Sequence, residues 1–185
     1  MNNETLLKQT KEHLKFLCSD ISERRVGSEG NRQATGYVKN EFQKAGWKTE
    51  ETLLSVTDWK TDGATLRCGQ ACFEVFSSPY SLRCSAEGEL LPIDNFEQLK
   101  ESELSDKIVF LYGKIATSQI MPKNFVFYNP DKHKQIIAAL EQGNPKAIVC
   151  ATERNPATAG GVYPFPLFED GDFDIPSVYM KDTEG

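Results

Sequence analysis

Apolar residues recur at helical spacing from the start of the chain. Leu6, Leu7, Leu14, Phe16 and Leu17, separated by Lys, Gln and Glu, predict a first helix over residues 4–18. A loop over 24–30 follows, in which Ser28 is placed to cap a second helix. That helix has Ala34, Tyr37, Val38, Phe42 and Ala45 on one face and Gly46 marking its end. The period then shortens to two, and alternation with Lys48, Glu50 and Glu51 predicts a strand over residues 47–56.

Past Asp58 the pattern breaks into short apolar runs punctuated by Gly, Pro and Asp, so a domain boundary is expected within residues 57–63. Residues 65–68 and 71–76 bracket Gly69-Gln70, a tight hairpin turn. A strand over 85–93 with a bulge at Gly88, a helical turn over 95–102 and a buried strand over 107–112 come next. A helix over 131–142 presents Ile136, Ile137 and Leu140, with Asp131 as its cap and Gly143 as its stop. Buried strands over 146–151 and 175–180 complete the reading. Strand, helix, strand in that order predicts a parallel pair with a crossover beside the hairpins, an α/β architecture.

With 39% hydrophobic and 10% aromatic residues among 185, the chain can bury a core. Its 27 acidic and 21 basic residues leave a net charge of −6, and Arg24-Arg25 is the one adjacent basic pair. A phosphate-backbone binder needs clustered cations, so nucleic acid is not expected as a partner, nor is an anionic membrane surface. The longest apolar runs are far short of the roughly twenty residues that span a bilayer. Five cysteines, an odd number at irregular spacing, fit a reducing compartment, and a cytoplasmic location is the expectation.

Catalytic constellations are sparse. His13 and His133 lie in no paired-histidine spacing, and no Gly-x-Ser-x-Gly occurs. Cys68, Cys72 and Cys84 invite a metal reading, but the hairpin register pairs Cys68 with Ala71 and Arg67 with Cys72. The first two thiols then stand on opposite faces and cannot share an ion. Glu169-Asp170-Gly171-Asp172-x-Asp174 has calcium-like charge without the residue order of an EF-hand, and it reads as a solvated acidic loop or as a field that attracts a peptide amine. The long segment around it makes Tyr163, Phe165, Phe168, Glu169, Asp170 and Asp172 a candidate substrate-access loop. No residue is assigned a catalytic or metal-binding role.

Two stretches resemble a known family. Arg25-Val26-Gly27-Ser28-Glu29-Gly30-Asn31, continuing through Tyr37-Val38 and Phe42 to Ala45-Gly46-Trp47, is similar to the opening of the two-zinc exopeptidases that include bacterial aminopeptidases. Lys107-Ile108-Val109, the helix to Gly143, Lys146-Ala147-Ile148-Val149 and Ile175-Pro176-Ser177-Val178-Tyr179 resemble the protease-associated domain that some members carry as an early insertion. The resemblance implies that residues 1–58 are a helix-helix-strand piece of an incomplete α/β metallopeptidase domain and 59–185 a protease-associated-like, β-rich α/β domain. It also implies two zinc ions in the full-length parent, activating a bridging water against a peptide carbonyl, with every zinc ligand and the general base downstream of the insertion. The chain is therefore expected to be an N-terminal, non-catalytic portion of such an enzyme, without cofactor of its own. Its rival is a stand-alone peptide- or protein-binding module. A homodimer through residues 34–56 is expected to cover the apolar face of the second helix and the edge of the strand after it.

Overall fold

The structure, a computed structural model, describes residues 2–117, 120–121, 125–152 and 174–185. Its contacts divide it into two units, Met1–Asp58 and Trp59–Gly185.

In the first unit, helix α1 spans Asn3–Lys15 and is capped by Asn2, whose Oδ1 accepts the Thr5 N–H at 2.8 Å. It runs on through one π-helical turn, Phe16–Asp20, and so passes the expected end at residue 18. Helix α2, Glu29–Lys44, begins where its cap predicts: the Ser28 Oγ accepts the Asn31 N–H at 3.1 Å. Phe16 stacks on Tyr37 at 4.2 Å between centroids, and Tyr37 shares a 2.7 Å hydrogen bond with His13, which joins the two helices. Arg25 binds both Glu23 and Asp58, fastening the loop before α2 to the end of the unit. Neither α1 nor α2 has a fully buried residue. The expected strand over 47–56 does not form. A strand exists only through ladder bonds to a neighbour, and among the described residues no strand pairs with this segment, whose contacts with α2 run through side chains such as Lys39 with Glu51 and Gln43 with Thr49.

The second unit opens with strands β1, Leu66–Cys68, and β2, Ala71–Phe73, paired with Cys68 opposite Ala71 and Arg67 opposite Cys72, the expected register. The run predicted as one strand over 71–76 divides. Phe76–Ser77 is a separate β3 that leaves the hairpin for a second sheet. Then come β4, Glu89–Ile93; α3, Phe96–Glu101; β5, Lys107–Leu111; a 3₁₀ turn, Gly113–Ile115; α4, Asp131–Gly143; β6, Ala147–Thr152; and β7, Ser177–Lys181. The second sheet has the order β3-β7-β6-β5-β4, parallel throughout except for β3 against β7.

Alternation along the central strands gives the layers. Val109 and Leu111 of β5, with Ile148 and Cys150 of β6, face one cluster with Leu99 of α3 and Ile136, Ile137 and Leu140 of α4. Ile108, Phe110, Val149 and Ala151 face the other side, against Leu66 and Phe73 of the hairpin. Helices thus cover one face of the parallel sheet and the hairpin covers the other, as a sheet buried on both faces requires.

Three local expectations are corrected. Strand β4 starts at Glu89, and Gly88 is no bulge: a Cβ there would lie 2.9 Å from the Asp106 carbonyl oxygen, so glycine permits a close backbone approach. Asp131 is the first helical residue of α4, with Pro130 at the cap position, because the helix begins one residue earlier than a side-chain cap at 131 would need. Gly143 does not stop that helix, which ends at Asn144 in the left-handed conformation (φ 46°). Glycine is required at 143 for another reason, since a Cβ would fall 2.5 Å from Leu104 Cδ1.

Candidate functional site

Strands β4 and β5 lie side by side and parallel, so the segments that leave their carboxyl ends emerge at the same edge of the sheet. Asp94 joins them. Its carbonyl accepts the Ile115 N–H at 2.8 Å, and its Oδ1 accepts the Lys114 N–H at 3.1 Å. Gly113 favours this: it sits at φ +59°, and a Cβ there would lie 2.0 Å from Asp94 Oδ1, so a larger residue would push that carboxylate out of place. The result holds Lys114 and Ile115 against the start of α3, where Asn95 caps the helix by accepting the Gln98 N–H at 3.0 Å.

Between these segments and α4 lies a groove of about 530 Å³. Ile115, Ile120 and Ile136 form its apolar floor and are themselves buried in the core. Phe96 contributes a wall, with the Lys100 ammonium 4.9 Å from its ring centroid and held by Glu97 at 2.6 Å. Lys114 and Lys132 line the groove with no acidic partner among the described residues. His133 Nδ1 accepts the Met121 N–H at 3.1 Å, which leaves the ring proton of the neutral imidazole on Nε2. Burial, and then the adjacent Lys132, hold the His133 pKa below its ordinary value, so this neutral form dominates near pH 7. Near α4, Phe125, Val126, Phe127 and Tyr128 form an exposed run, with Phe125 and Phe127 in edge-to-face contact at 5.9 Å.

The residues singled out from sequence fall elsewhere. Tyr163, Phe165, Phe168, Glu169, Asp170 and Asp172 lie outside the described residues. Cys68 and Cys72 stand on opposite faces of the hairpin and are exposed, as is Cys84. His13 is engaged by Tyr37 in the first unit, whereas His133 belongs to the groove of the second. Among the described residues no three of His, Cys, Asp and Glu converge as metal ligands, so these side chains do not fit a zinc centre. Burial puts the Cys150 thiol far above the usual range, and it is inert packing in the core. The groove was missed in the sequence, although Phe96 and Lys100 one helical turn apart and Gly113-Lys114 at a strand end were visible signals.

No family model matches this sequence, and no curated protein matches it. The fold has a solved counterpart. It is similar to the aminopeptidase from Aneurinibacillus sp. strain AM-1, with a TM-score of 0.57 and 16% sequence identity. The likeness covers 96% of this chain and 39% of that one, so the chain spans well under half the length of the aminopeptidase. At that identity the likeness is one of fold, a mixed α/β arrangement with a largely parallel sheet. Among the described residues no helix is long and apolar enough to cross a membrane.

Proposed function

We propose that the chain is the N-terminal, non-catalytic portion of a zinc-dependent aminopeptidase-like hydrolase. Residues 1–58 belong to the catalytic domain, and residues 59–185 form a protease-associated-like domain inserted into it that shapes the access of a peptide substrate. The observation that carries this reading is the surface of the first unit. Of the nineteen buried apolar residues described, Ile21 alone lies there, while Phe42, Trp47, Leu53 and Leu54 are exposed. Two helices that bury no residue cannot offset their conformational entropy by packing, so this unit calls for a further layer of protein. A fold likeness that runs across 96% of the chain and takes up 39% of an aminopeptidase supports the rest of a peptidase as the source of that layer.

The second unit has a complete core of its own, which favours the alternative of a stand-alone binding module. Hydrolysis of aminoacyl anilides and zinc content separate the two readings, measured on residues 1–185 and on the product of the whole reading frame. Activity and two equivalents of zinc in the longer product alone are the expected result. A reading frame that ends at Gly185, or a longer product that neither binds zinc nor cleaves, sinks the proposal.

A further inference from the structure

We infer that the groove at the carboxyl ends of β4 and β5 binds a small ligand with an apolar body and a carboxylate head. The inference does not rest on the peptidase reading, because the second unit alone carries it. The groove lies at the carboxyl ends of β4 and β5, where the segments that leave them and the start of α4 stand on a rigid, core-packed base, and its 530 Å³ lies within the range of small-molecule sites.

The lining selects the chemistry. Ile115 and Ile136 close the bottom of the groove with little exposed surface of their own, and the half-buried Phe96 ring supplies the apolar wall that a purely ionic ligand would leave wet. Donors are prominent among the polar groups that line the groove: the ammoniums of Lys114 and Lys132 and the Nε2–H of His133, beside Asn95, Gln135 and the Glu97 carboxylate. Carboxylates nearby are already engaged, Glu97 with Lys100 at 2.6 Å and Asp131 with Lys134 at 3.6 Å. Two ammoniums without acidic partners among the described residues, over an apolar floor, complement an anion that carries a hydrophobic group. They disfavour a cation or a neutral polar molecule. The backbone of Lys114 is held at the groove by Asp94, next to Gly113 at φ +59°.

Amide-resolved NMR titration of residues 1–185 tests this with three probes: N-acetylphenylalanine, its C-terminal amide, and inorganic phosphate. The acid is expected to give saturable shifts at Lys114, Ile115 and His133, and the amide and phosphate to bind at least about tenfold more weakly. In the Lys114→Met/Lys132→Met variant the preference for acid over amide should vanish. The comparison of acid with amide on the unaltered chain decides the matter even if that variant does not fold. Equal binding of acid and amide overturns the carboxylate, equal binding of phosphate and acid overturns the apolar body, and no saturable shift at about 10 mM acid overturns the site.

Discussion

If the first unit is part of a larger domain, its exposed apolar side chains are silent in this chain and critical in the longer one. Leu53 is 97% exposed, so Leu53→Ala removes contacts that residues 1–185 do not make, and the change should stay within about 0.5 kcal/mol. Phe42 is 52% exposed, and losing its half-burial costs about 1 kcal/mol. Under a layer of further protein the same truncations act on filled positions and cost about 2–5 kcal/mol for Leu and 3–5 for Phe. Each residue therefore carries a difference between the two chains of roughly 2 kcal/mol or more, several degrees in melting temperature. Urea titration followed by helical circular dichroism, on each variant in both chains and at a concentration dilute enough to keep residues 1–185 monomeric, reads it directly. A loss above about 1 kcal/mol for Leu53→Ala in residues 1–185 would show that the side chain is already packed. Equal losses in the two chains would show that nothing downstream covers this face. Either result refutes the reasoning.

Gly143→Ala should destabilise the chain by about 1–3 kcal/mol through the clash with Leu104, outweighing a helix-propensity gain of at most about 1 kcal/mol, and Leu104→Ala in the same chain should recover part of the loss in urea titrations. Native thiol titration should modify Cys18, Cys68, Cys72 and Cys84 and spare Cys150 until the protein unfolds; five reactive thiols in the native state would contradict the buried placement of Cys150. The folded pKa of His133 lies below the unfolded value of about 6.5, so its contribution to stability is fully present above that pH and is lost as pH falls toward the folded pKa. His133→Asn should therefore flatten stability against pH in that window, and an unchanged slope would argue against the burial of the ring. Residues 1–185 at high concentration should pair through residues 34–56, where Val38, Phe42, Trp47, Leu53 and Leu54 are exposed; sedimentation equilibrium giving a monomer would count against it.

Much of the second unit was legible because its signals are local and agree with one another. The unbroken apolar runs of β5 and β6, the spacing of Ile136, Ile137 and Leu140, and the Gly69-Gln70 turn are each legible without help from distant residues. The errors arose where a residue serves a contact rather than its own element. Gly143 reads as a helix stop because glycine favours helix ends, yet it answers to Leu104, 39 positions earlier. Gly88 answers to Asp106 in the same way. Nor did the groove stand out in the sequence: Phe96, Lys114 and Lys132 come from three segments that only the parallel pairing of β4 with β5 and the packing of α4 bring together.

The strand expected over 47–56 failed for a different reason. Its apolar positions, broken by Lys48, Glu50 and Glu51, state what a segment can do beside a neighbour, not that the neighbour is present. That distinction separates the two open surfaces of the molecule. The groove of the second unit is concave, set on a complete core and provided with donors, so what it lacks is small and anionic. The face of the first unit has Trp47, Leu53 and Leu54 exposed and Ile21 as its one buried apolar residue among those described, so what it lacks is a core. A small ligand cannot supply that, because stabilising two such helices takes many side chains buried together, each contributing on the order of 1.5–3 kcal/mol. In the proposed reading the rest of the parent enzyme supplies that core, and in the predicted dimer a second copy does.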